Sequence, residues 1–210
     1  MQSIFGTLGA KQIFWTVIIL FYVVAHANAD EWEKTVDTQE LLVTVKRSDN
    51  LIKINAKVYV QASPDAFLAL LDSANRDCSW LANCETVTIY PSQSPSVRIV
   101  HTLLSSPWPL QDREMFTRST HQFSANRDHL SIWVEDISEN FPIHPNRVML
   151  RNVSAQWSMA HSHDDWYELN YLASAHPGGV IPDWLAEKTM QEATEQTLLA
   201  IKERLHAQES

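Results

Sequence analysis

The chain has 210 residues, 45% of them apolar and 20% charged, a balance that supports a packed core and excludes wholesale disorder. Its formal net charge of −9, with no run of Lys or Arg, excludes nucleic acid as a partner and adhesion to an anionic bilayer through a basic patch. Four glycines leave no room for a glycine-rich phosphate loop, while eight tryptophans are many for this length.

Residues 1–29 read as an export signal. Lys11 supplies the positive flank, residues 13–25 (IFWTVIILFYVVA) are uncharged, and Ala27-Asn28-Ala29 offers a small-x-small cleavage site before Asp30-Glu31. The apolar run is short for crossing a bilayer, which takes about 20 residues. The expectation is a mature chain of residues 30–210 in an oxidising compartment, a bacterial periplasm, with an uncleaved anchor as the alternative. Cys78 and Cys84, with five residues between them, can pair in such a compartment. A continuous helix would hold them on different faces, whereas residues 80–83 read as a helix exit, so the disulfide is left open. Two thiols without further ligands do not make a zinc site.

Beyond the signal, residues 41–46 alternate weakly and residues 51–60 (LIKINAKVYV) alternate cleanly, with Ile52, Ile54, Ala56, Val58 and Val60 on one side. The second is the pattern of a half-buried antiparallel strand. Ser63 then caps a helix that has Pro64 in its first turn and Phe67, Leu68, Leu70 and Leu71 on its apolar face. Short alternating segments follow near 86–90, 96–104, 116–123, 130–137, 147–159 and 166–173, with a hairpin loop expected at 160–165 (AHSHDD). The last element is a helix from about Pro182 to His206. Its stripe Ile181, Leu185, Thr189, Ala193, Thr197, Ala200 and Arg204 is small in volume, as suits a helix that covers a cavity rather than fills a core. No repeat or linker divides the chain after the signal, and one α+β domain is expected.

Three segments carry a family resemblance. Residues 107–114 (PWPLQDRE) resemble the "PWP…DRD" segment of START-domain lipid-transfer proteins. Residues 171–185 (YLASAHPGGVIPDWL) are similar to that family's entry into its C-terminal helix. Between them, residues 148–157 resemble the strand the family ends in Gly-x-Trp, with Ala155 in place of the glycine; His176 stands where an acidic residue is common. The resemblance spans residues 35–206 in order. It implies the bacterial-type START branch of the helix-grip superfamily: a curved antiparallel sheet around a long C-terminal helix, with an internal hydrophobic cavity for one lipid, sterol or similar molecule.

On that reading the ligand-binding candidates are Trp108, Arg113, Trp157, Tyr171, Trp184, Leu185, Thr189, Ala193 and Thr197, with Phe141 and Ile143 on a loop beside the cavity mouth. Each has a plainer role. Asp112 and Arg113 can simply brace a loop, the aromatic residues can be ordinary core, and Phe141 and Ile143 can pack on the C-terminal helix instead of touching a membrane. His161, His163, Asp164 and Asp165 have metal-like chemistry, but an exposed hairpin tip lacks the buried support a strong site needs, so no metal is expected. No nucleophile elbow, zinc-protease helix or other catalytic frame is present. The expected protein is a non-catalytic monomer without a cofactor, which binds an apolar small molecule and touches membranes transiently. A polyketide cyclase or aromatase on the same fold is the alternative.

Overall fold

The structure, a computed structural model, describes residues 32–48, 50–106, 110–179 and 181–209. The expected export segment and the candidate Trp108 lie outside the described residues. Strands β1 (Glu33–Asp37), β2 (Leu41–Ser48) and β3 (Leu51–Val60) lead into helix α1 (Pro64–Asp72). Then follow β4 (Cys84–Tyr90), β5 (Val97–Leu104), β6 (Arg113–Phe123), β7 (His129–Asp136), β8 (Val148–Met149), β9 (Arg151–His163), β10 (Trp166–His176) and helix α2 (Asp183–Glu209). The strands form one sheet in the order β1-β2-β3-β10-β9-β7-β6-β5-β4, antiparallel throughout, with the short β8 lying parallel beside β6. The α+β architecture expected from the sequence is the one observed.

Local chemistry explains most of these elements. In β3 the five alternating apolar residues are all buried, as a strand with one face on the core requires. Ser63 Oγ accepts from the Ala66 N–H at 3.2 Å and Pro64 opens α1, satisfying a donor that a helix start leaves free. Two expectations need correction. The segment expected as a loop at 160–165 is mostly strand, because β9 runs on to His163 and the hairpin turns at Asp164-Asp165. Asp164 takes a left-handed backbone (φ 48°), which Asp tolerates, and its carbonyl lies 2.7 Å from His161 Nε2. The strand expected at 147–159 is split into β8 and β9.

Cys78 and Cys84 form a disulfide that closes the loop between α1 and β4. That loop clasps α2. The Ala82 N–H donates to Thr197 Oγ1 at 3.0 Å, and Arg204 reaches Ser79 Oγ at 2.6 Å and Asp77 at 2.8 Å. Replacing both cysteines with Ser should cost about 2 kcal/mol, the loop-closure value for so short a ring, read as a shift in the urea midpoint. Hydrogen bonds from Ser79, reinforced by Arg204, hold the Asp77 carboxyl down at about 2, against an ordinary 3.8. A carboxyl depressed in the folded state stabilises it above its unfolded pKa and ceases to as it protonates. The stability difference between wild type and Asp77→Asn should therefore shrink as pH falls from 3.8 towards 2.

Candidate ligand cavity

Strand register lines up the inner face of the sheet in rows. Leu130, Met159, Leu169 and Val58 make one row, and all four are buried. In the next row Ile132 and Ala56 are buried, but Trp157 and Tyr171 between them keep accessible surface. In the third, Val134 and Ala155 are partly accessible beside buried Ala173 and Ile54. Along the inner face a fully buried row thus gives way to two more open rows, each with two partly accessible residues.

Helix α2 lies along this gradient. Lys202 pairs with Glu40 at 3.0 Å, just before the start of β2, while Arg47 near the end of β2 pairs with Asp183 and Glu187 at 3.0 and 2.9 Å. The C-terminal half of α2 therefore covers the sealed row and its N-terminal half the open ones. The same contacts fix its rotation. Ala186, Thr194, Leu198, Ile201 and Leu205 are buried, and the helix rests on β2 and β3. Thr197 is tied to the α1–β4 loop on the flank away from β2. Ala193 and Thr189, one and two turns earlier, are partly accessible. Leu185, one turn earlier again, is partly accessible like both of them. Of the small stripe, Thr197 is buried with the residues that fasten the helix, while Leu185, Thr189 and Ala193 are not.

Tyr171 keeps accessible surface within these rows, and burial pushes its phenol up to about 12. Trp157 stacks obliquely on it at 4.1 Å and meets Phe67 of α1 at 5.5 Å. His121, on the same inner face beside Ile132, is held below its ordinary value by burial and by the nearby Arg98 guanidinium. Arg98 itself is gripped by Asp72 of α1 through two bonds of 3.0 Å.

The open end is framed by the loop between β7 and β9 and by the entry to α2. Phe141 packs on neither α2 nor solvent: it stacks on Phe116 at 3.8 Å, and Phe116 stacks on His101 at 4.0 Å. These rings sit on the outer face of the sheet over the Glu114 carboxylate, which is 3% exposed and 3.3 Å from His101 Nε2. The His144 N–H and Arg147 reach the same carboxylate. Ile143, by contrast, is 67% exposed. Trp184, expected to face inward, is 66% exposed, because two residues along a helix turn about 200° and Ala186 takes the buried side. Arg113 donates to Ser106 Oγ at 2.7 Å and to the Gln111 carbonyl, while Asp112 accepts from the Ser106 N–H at 2.8 Å. Both brace the β5–β6 connection.

Of two surface hollows among the described residues, one of about 130 Å³ lies at the entry to α2, lined by Arg47, Ile52, Gly178 and Ile181. The other, of about 580 Å³, is walled by Asp164, Asp165, His161 and His206 and is too polar for an apolar guest. Among the described residues no three His, Cys, Asp or Glu side chains are placed to hold a metal.

A large antiparallel sheet with a long C-terminal helix packed on it defines the helix-grip class. Within that class the chain has the START fold, as the motif resemblance implied. Over 84% of this chain and 99% of the other, it superposes on a STAR-related lipid transfer protein of Xanthomonas axonopodis with a TM-score of 0.74 at 23% identity. Human STARD10 gives a TM-score of 0.71 at 16% identity, over 94% of this chain and 80% of that one. An aromatase/cyclase of Streptomyces gives 0.50 at 13% identity, over 76% of this chain and 96% of that one. In sequence the chain is 19% identical to an uncharacterized protein of Pseudomonas aeruginosa, over 87% of this chain and 91% of that one. No protein-family model matches it.

Proposed function

We propose that the protein is a non-catalytic carrier that holds one lipid, sterol or comparable apolar molecule between α2 and the sheet, in a bacterial periplasm. The observation that carries the reading is the partial accessibility of Trp157 and Tyr171, side by side on the inner face of the sheet between the buried Ile132 and Ala56. A ligand there removes its own apolar surface from water and supplies contacts that a close-packed core would otherwise need. The lipid-transfer name of the Xanthomonas structure is in keeping with this. Export is argued from residues 1–29, and the disulfide suits an oxidising compartment.

Ile143, on the loop between β7 and β9, and Trp184, in the first turn of α2, are the two most exposed large apolar side chains among the described residues. In this reading they touch the bilayer while ligand passes. Replacing both with Ser should slow transfer of a fluorescent lipid between phosphatidylcholine vesicles severalfold and leave the thermal midpoint nearly unchanged. Phe141→Ser should instead cost about 3 kcal/mol, since it empties a stacked contact in the fold. Unchanged transfer by the double variant would remove the membrane role; an absence of any transfer by wild type would remove the carrier reading.

A further inference from the structure

The ring closed by Cys78 and Cys84 carries most of the grip that the α1–β4 loop has on α2. Within it, Ser79 Oγ accepts from Arg204, the Ala82 N–H donates to Thr197 Oγ1 at 3.0 Å, and Trp80 packs in the main core. Thr197 is buried, so that hydrogen bond is sheltered from water. The ion pairs Arg47–Asp183 and Lys202–Glu40 hold the helix less firmly, since one partner in each is well exposed. Leu198, Ile201 and Leu205 keep α2 seated on the sheet independently of the loop. The loop adds a second side to the grip, and the disulfide holds the loop in shape. Both cysteines are partly accessible, and Asp77, Ser79 and Asn83 beside them are exposed, which leaves a thiol a path to the bond. So short a ring constrains the unfolded chain less than a long one, and most of the fold's stability lies elsewhere.

We propose that the Cys78–Cys84 disulfide is a redox latch on α2, opened by a dithiol. One thiolate of the dithiol attacks a cysteine sulfur. The S–S bond breaks, a mixed disulfide forms, and the other cysteine leaves as a thiolate that takes up a proton. The second thiolate of the dithiol then attacks the dithiol's own sulfur in the mixed disulfide and releases the first cysteine. Two electrons and two protons pass to the protein, and the dithiol leaves as its disulfide. With the ring open, residues 79–83 lose the shape that presents Ser79 and the Ala82 N–H to α2. The C-terminal half of the helix then opens more often while the sheet stays folded. The inference stands apart from the carrier reading, because it concerns the loop and α2 whether or not a ligand is bound.

The test is hydrogen exchange of the purified protein, oxidised or reduced with dithiothreitol in the absence of denaturant, followed by mass spectrometry. Labelling of both cysteines with iodoacetamide confirms the reduction. Peptides covering residues 78–84 and 195–205 should exchange roughly tenfold faster after reduction, with β3 and β10 as protected as before. The double variant Cys78→Ser, Cys84→Ser should show the fast pattern with or without dithiothreitol. A native protein that resists dithiothreitol and yields its thiols only on unfolding overturns the latch. So does an α2 that exchanges alike in both states, or a loss of protection in β3 and β10 together with α2. A response of the double variant to dithiothreitol overturns it as well. Should the double variant fail to fold, the reduced wild type decides the matter.

Discussion

Ala193→Trp is expected to lower lipid occupancy tenfold or more at a stability cost below about 1 kcal/mol. In a filled core the added ring would force its neighbours apart and cost about 1–3 kcal/mol. Ala193 is partly accessible, one turn before Thr197 and outside the buried set Thr194, Leu198, Ile201 and Leu205 that fastens α2. A ring placed there occupies the volume the ligand uses and buries apolar surface of its own. Occupancy is read from the lipid extracted per mole of purified protein, and stability from urea unfolding. A variant that unfolds easily and binds as before would mean that Ala193 faces packed protein.

Gly178→Val is expected to destabilise the fold by about 2–4 kcal/mol, for two reasons that add. Gly178 and Gly179 have φ of 63° and 68°, a left-handed backbone that a β-branched residue adopts only under strain. A Cβ on Gly178 would also stand 2.7 Å from Val148 Cγ1, and Val has no flexible end to swing away. Because Val148 belongs to β8 and Gly178 leads into α2, the contact fixes where the helix begins. Differential scanning calorimetry measures the loss. A shift of the midpoint by less than a degree would show that β8 yields freely.

Much of this was legible in the sequence. The alternation of residues 51–60, the Ser63-Pro64 helix start and the residues 177–179 entry to α2 each reflect chemistry confined to a few neighbours, and such chemistry can be read locally. The small stripe Thr189, Ala193 and Thr197 is visible for the same reason. What escaped depends on contacts between distant segments. β1 is a short edge strand of mixed composition, EKTVD, and exists by pairing with β2. The buried stripe of Leu198, Ile201 and Leu205 shares one helix with the cavity flank, and periodicity alone cannot say which flank meets the sheet. Phe141 was recognised as an unusual loop residue, but its partner Phe116 lies on the outer face of a strand where polar residues alternate.

The most direct test of the cavity is native mass spectrometry of the exported protein, purified from cells without detergent. The expected spectrum shows a complex heavier than the polypeptide by a single lipid, lost on collisional activation and recovered intact in organic extract, with Ala193→Trp at the bare mass. A wild-type protein that appears only at its polypeptide mass, and stays there after incubation with vesicles of the same cells' lipids, would contradict the account. So would recovery of a bound molecule in chemically altered form, the outcome expected of a cyclase.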